Sequence, residues 1–157
     1  MTNKSLPAFV IDPSPTICWP VTVELPGNGG RLVKQCFNAT FRVLSEKEVR
    51  AIIESGKSGK PEGERTVADI EQENATIYRQ IVTGWDVTDA AGQPVPLSQL
   101  PDLLTDSPYS IALAKGLQAA WLQMRFGQAP EDGGVIEGNS VPSPAAGSET
   151  VAQAMTN

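Results

Sequence analysis

Two alternating runs on either side of a glycine-rich turn set the main constraint on how this chain can fold. Residues 18–25 read Cys-Trp-Pro-Val-Thr-Val-Glu-Leu, which puts Trp19, Val21, Val23 and Leu25 on one side and Cys18, Thr22 and Glu24 on the other. Pro26-Gly27-Asn28-Gly29-Gly30 follows as a dense turn signal. Residues 32–44 alternate again: Val33, Gln35, Phe37, Ala39, Phe41 and Val43 share one face, opposite Lys34, Asn38, Thr40 and Arg42. The pattern predicts an antiparallel β-hairpin with one apolar face. Pro20 has no N–H to give to a ladder, so the first strand belongs at an edge. A hairpin alone is marginal in water, so its apolar face must be covered by helices or by more strands.

The chain then turns helical. Ser45 with Glu48 three residues later fits a capping box, predicting a helix over 46–54 with Val49, Ile52 and Ile53 as its apolar stripe. The charged, glycine-rich run 56–63 reads as a flexible connector. Thr66 with Asp69 repeats the cap signal, and Val67, Ile70, Asn74, Ile77, Ile81 and Trp85 line one face for about five turns. Next comes turn chemistry: Asp89 to Gly92 form a loop, Pro94 and Pro96 hold Val95 extended, and Ser98 can cap a short helix with Leu100, Leu103 and Leu104 inward. The stretch 77–98 therefore reads as a joint that fixes how two helices pack. A last helix is predicted over 108–126, with Pro108 in its first turn and Gly127 at its C-terminal end. Its inward stripe is read as Ile111, Ala114, Leu117, Trp121 and Met124 or Leu122.

This organisation is α+β: an N-terminal antiparallel hairpin packed on about four helices over 17–127. Residues 1–16, with three prolines, read as an extended arm whose Phe9, Val10 and Ile11 are free to dock on the domain or on a partner. Residues 128–157 are rich in Pro, Gly, Ser, Ala, Glu and Asp without aromatics, and read as a disordered tail.

Charge and composition exclude several functions. The chain has 18 acidic and 12 basic residues among 157, a net charge of -6. That argues against binding to nucleic-acid phosphates and to anionic membrane surfaces. No apolar run approaches the roughly 20 residues that span a bilayer, and residues 1–13 do not read as a signal peptide, so a cytoplasmic location is expected. There is no histidine, which removes imidazole acid–base catalysis, Ser-His and Cys-His arrangements and most zinc sites. Gly56-Lys57-Ser58-Gly59-Lys60 resembles a phosphate loop only superficially, because it follows a helix and leads into a loop. Cys18 and Cys36 lie on facing strands, where a cross-strand pair is conceivable and ordinary packing is the plainer reading. Asp69, Glu71 and Glu73 interleave with an apolar stripe and read as the solvated side of a helix. Trp85, Trp121 and Tyr109 read as core, or as anchors of an interface. No catalytic, metal or cofactor residue is assigned, and the chain is not expected to be an enzyme.

The order of elements, and above all the run Gly84-Trp85-Asp86-Val87-Thr88-Asp89-Ala90-Ala91-Gly92-Gln93-Pro94-Val95-Pro96-Leu97-Ser98, resembles the tail assembly chaperones of long-tailed bacteriophages and prophages. The similarity covers roughly residues 17–126. The resemblance implies a non-enzymatic binding protein of the host bacterial cytoplasm. Such a protein coats the phage tape measure protein, helps tail tube protein polymerise around it and is absent from the virion; self-association is compatible with this. The alternative it leaves open is a structural tail or neck component. Two contact surfaces are nominated on this basis: the strand, through Trp19, Val21 and Val23, and the last helix, through Tyr109, Leu117 and Trp121.

Overall fold

The computed structural model describes residues 5–130. β1 (Thr16–Pro26) and β2 (Leu32–Arg42) form the expected hairpin. Their register pairs Trp19 with Ala39, Val21 with Phe37 and Val23 with Gln35, so the predicted apolar side chains lie on one face. The turn closes with the Gly27 N–H donating to the Arg31 carbonyl at 2.7 Å, and Gly29 and Gly30 take the positive φ that such a turn requires. Cys18 stands opposite Thr40 and Cys36 opposite Thr22, so the thiols are not paired. Both are exposed on the outer face, which corrects their reading as packing residues.

The helices follow as α1 (Glu46–Gly56), α2 (Val67–Ile81), α3 (Leu100–Thr105) and α4 (Ser110–Arg125). Both capping boxes form. The Ser45 hydroxyl accepts from the Glu48 N–H while Glu48 accepts from the Ser45 N–H, and Thr66 and Asp69 repeat the arrangement. α3 is preceded by a 3-10 turn at Leu97–Gln99, and no side chain caps it, so Ser98 does not play the role read for it.

One element differs in kind from the sequence reading. The second helix stops at Ile81, and Val82–Trp85 forms a third strand, β3, antiparallel to β2 in the order β1-β2-β3. Trp85 pairs with Ala39 and Val82 with Phe41, across an irregularity between Thr40 and Phe41. The spacing of Ile77, Ile81 and Trp85 fits a helix, yet Val82 and Thr83 are β-branched and β2 offers an open edge. Pairing with that edge satisfies backbone groups that a further helical turn would have bonded internally. The buried side of α2 is also rotated from the predicted stripe. Ala75, Tyr78 and Ile81 are inside, whereas Val67 and Ile70 are exposed.

The core lies between the inner face of the sheet and the helices. Its largest fully buried side chains are Phe41, Ile81, Leu100, Leu104, Leu117 and Val21. Tyr78 packs edge-on against Trp121 at 6.4 Å between ring centres, and burial pushes its phenol pKa up.

The 57–65 connector is tied down rather than free. The Ser58 N–H donates to Glu73 at 3.2 Å, Lys60 donates to both Asp69 oxygens at 3.1 and 3.0 Å, and Arg65 forks onto the Glu73 carboxylate. Burial raises the pKa of Glu73, but the Ser58 and Arg65 hydrogen bonds outweigh it and the net shift is downward. The N–H of Thr66, then Lys60 and the Thr66 hydroxyl, hold the Asp69 carboxyl at about 2. A folded pKa below the unfolded value means that Asp69 contributes its full stability above about pH 4 and loses it as pH falls through about 2. Asp69→Asn is therefore expected to lower the melting midpoint near neutral pH and to converge with the parent protein near pH 2. Thermal melts of both proteins across that range check this. A gap that persists unchanged at pH 2 would remove the carboxylate charge as its cause.

Candidate functional site

The two nominated surfaces turn out to be one internal contact. α4 lies along β1, and Gly116 is the point of closest approach. A Cβ built there would fall 2.6 Å from the Thr22 carbonyl oxygen and 3.2 and 3.3 Å from methyls of Val21 and Val23. Val21, Val23, Leu117 and Trp121 are all buried; Val21, Leu117 and Trp121 have no surface to offer a partner, and Val23 shows only an edge. The reason is reciprocal burial: the apolar face of the strand and that of the helix cover each other. Trp19 is half-buried at the rim, and its indole N–H donates to the Gln123 side chain at 3.3 Å. Of the six nominated residues, Tyr109 alone is exposed, at 51%. The inward stripe of α4 is Leu113, Gly116, Leu117, Ala120 and Trp121, while the predicted Ile111 points to solvent at 58% exposure.

The surface that the sequence reading missed is a groove on the inner side of the sheet, toward the hairpin turn, where the helices stop short. It is a cavity of about 620 Å³ between the ends of β1 and β2, the 86–95 loop, and the α3–α4 junction. Leu25, Phe37, Trp85, Val95, Leu103 and Tyr109 supply most of its apolar lining. Its size falls in the range of about 300–1,000 Å³ common for binding pockets. Phe37 and Trp85 meet edge to face at 6.0 Å. The Trp85 indole N–H donates to the Val95 carbonyl at 2.7 Å, which fixes the ring as part of the wall.

The 86–95 loop is as rigid in its bonding as its turn residues suggest. Asp86 accepts from the Asn38 N–H at 2.7 Å and from the Asn38 side-chain amide at 3.0 Å, which anchors the loop to β2. Asp89 accepts from the N–H groups of Ala91 and Gln93, both at 2.9 Å, and the Val95 N–H donates to the Val87 carbonyl at 2.9 Å. The charged residues lining the groove are Asp86 and Asp89. Trp85 and Tyr109 read from the sequence as core or interface, and that is the available signal. The groove itself joins segments far apart in sequence and has no local signature.

The shifted carboxylates each serve the fold. Glu48 is lowered by the Ser45 N–H and hydroxyl that it caps, Asp69 by its own capping box, and Glu73 by its hold on the connector. Among the described residues no group of three or more Cys, Asp or Glu side chains is placed to hold a metal ion, and no helix is long and apolar enough to cross a membrane. No family model, curated protein or solved structure matches the chain.

Proposed function

We propose that the chain is a tail assembly chaperone of a long-tailed phage or prophage, which binds the tape measure protein transiently and transforms no substrate. One observation carries the reading. The run 84–98, on which the resemblance chiefly rests, also builds a wall of the apolar groove through Trp85, Asp86, Val87 and Val95. A tape measure chain carries apolar helical stripes until the tube encloses it, and a groove lined by aromatic and aliphatic side chains suits one such stripe. Weak binding repeated along the target would let tube protein displace the chaperone as it polymerises. A net charge of -6 helps to keep such a complex soluble.

Co-expression with a tape measure protein of a long-tailed phage is expected to give a soluble complex recovered by pull-down. Tyr109→Asp, which puts a charge on the groove's exposed lip, is expected to weaken recovery by about tenfold or more. Mass spectrometry of purified particles is expected to find little of the chain. Stoichiometric amounts in virions would instead support a structural tail or neck subunit and sink the chaperone reading.

A further inference from the structure

The arm preceding β1 carries four large apolar side chains with nothing on them: Leu6, Phe9, Val10 and Ile11 are 78–92% exposed. Consecutive bulky apolar residues held in water on an extended segment are costly unless something covers them. Within one chain the groove does not cover them, since all four stay exposed. The arm is tethered at the far end of the sheet, where the Val43 N–H donates to the Pro15 carbonyl and Thr16 pairs with Arg42. Phe9, Val10 and Ile11 are seven, six and five residues before Thr16, a reach of at most about 25, 22 and 18 Å. The reach is shortened where the Ser14 N–H turns back onto Asp12. The groove's near wall, Phe37 and Trp85, is level with Val21 and Trp19 and so within that reach. Its floor at Val23 and Leu25 begins seven residues up β1, about 23–30 Å away, so the arm of the same chain cannot lie along the whole groove.

We propose that the arm of one copy seats Phe9, Val10 and Ile11 in the groove of a second copy. An apolar extended plug at one pole and an apolar groove at the other make a heterologous contact, so copies join head to tail and the contact repeats. The arm suits the site. Pro7, Pro13 and Pro15 restrict its backbone, which lowers the entropic cost of binding, and the groove has room for several side chains. This inference stands apart from the chaperone reading, because self-association is measured on the isolated protein. If both hold, arm and tape measure helix compete for one groove.

Sedimentation velocity of the full-length protein tests it. The weight-average mass is expected to rise with concentration to about twice the monomer's or more. Phe9→Asp/Ile11→Asp, at exposed positions with no part in the core, should abolish the rise, and so should Tyr109→Asp, with circular dichroism confirming that each variant is folded. The decisive arm mixes the two variants. One has a groove without a plug and the other a plug without a groove, so together they should form heterodimers and go no further. The proposal is overturned by a concentration-independent monomer, by association that survives the arm variant, or by folded variants that fail to pair. A monomer whose tryptophan emission shifts in the arm variant would place the arm on its own chain and overturn it too. If Tyr109→Asp does not fold, the arm variant alone decides.

Discussion

Phe41→Ala is expected to destabilise the domain by about 3–5 kcal/mol and to lower its melting midpoint by roughly 10–20 °C. Phe41 is fully buried on the central strand, opposite Ile17 on β1 and Val82 on β3, where all three strands meet. Removing its ring leaves a space walled on one side by a hydrogen-bonded sheet, which cannot collapse without breaking the ladder. Marginal stability of about 5–15 kcal/mol makes that a large share of the total. Leu32→Ala is the control. Leu32 is 66% exposed on the same strand near the turn, and its loss is expected to stay within about 0.5 kcal/mol. Urea unfolding of both variants, with unchanged denaturant dependence, reads the difference. A loss below about 1 kcal/mol at Phe41 would mean that the sheet's inner face is not the centre of the core.

What could be read from the sequence alone divides by the range of the interaction that fixes it. The capping boxes at Ser45–Glu48 and Thr66–Asp69 each join residues three positions apart, and both form as expected. The hairpin register follows from period-two alternation around a short turn, which is equally local. β3 was hidden because Ile77, Ile81 and Trp85 satisfy a helical period. The open edge of β2, some forty residues earlier in the chain, made residues 82–85 a strand. The face of α4 was ambiguous for another reason. Ile111, Ala112, Leu113, Ala114, Leu117, Ala120, Trp121 and Leu122 surround much of the helix, so more than one stripe fits. The same non-locality explains the site. Leu25, Phe37 and Leu103 read as core and Trp85 as core or interface, and the fold leaves all four at the rim of a groove.

The choice among those stripes on α4 was made by Gly116, and that choice yields the second large effect. Gly116→Val is expected to cost about 3 kcal/mol or more, and Gly116→Ala about 1–2, although alanine is the better helix former by about 1 kcal/mol. The obstacle is backbone: the added carbon would sit 2.6 Å from the Thr22 carbonyl oxygen, and no rotamer change relieves that. Either α4 lifts from β1 or β1 shifts against β2, where Thr22 is held opposite Cys36. Gln118→Ala, on the exposed side of the same helix, is expected to be neutral or slightly stabilising, which separates packing from propensity. Thermal or urea unfolding of the three variants gives the comparison, and a Gly116→Ala protein more stable than the parent would show that the contact has slack. Lifting α4 would also uncover Val21, Val23 and Leu117, turning a buried face into a sticky one. Val23 and Leu113, which line the groove from β1 and α4, would separate at the same time. The Gly116 variants are therefore expected to lose groove-dependent association along with stability, whereas the Phe9 and Ile11 substitutions remove association and leave the melting midpoint in place.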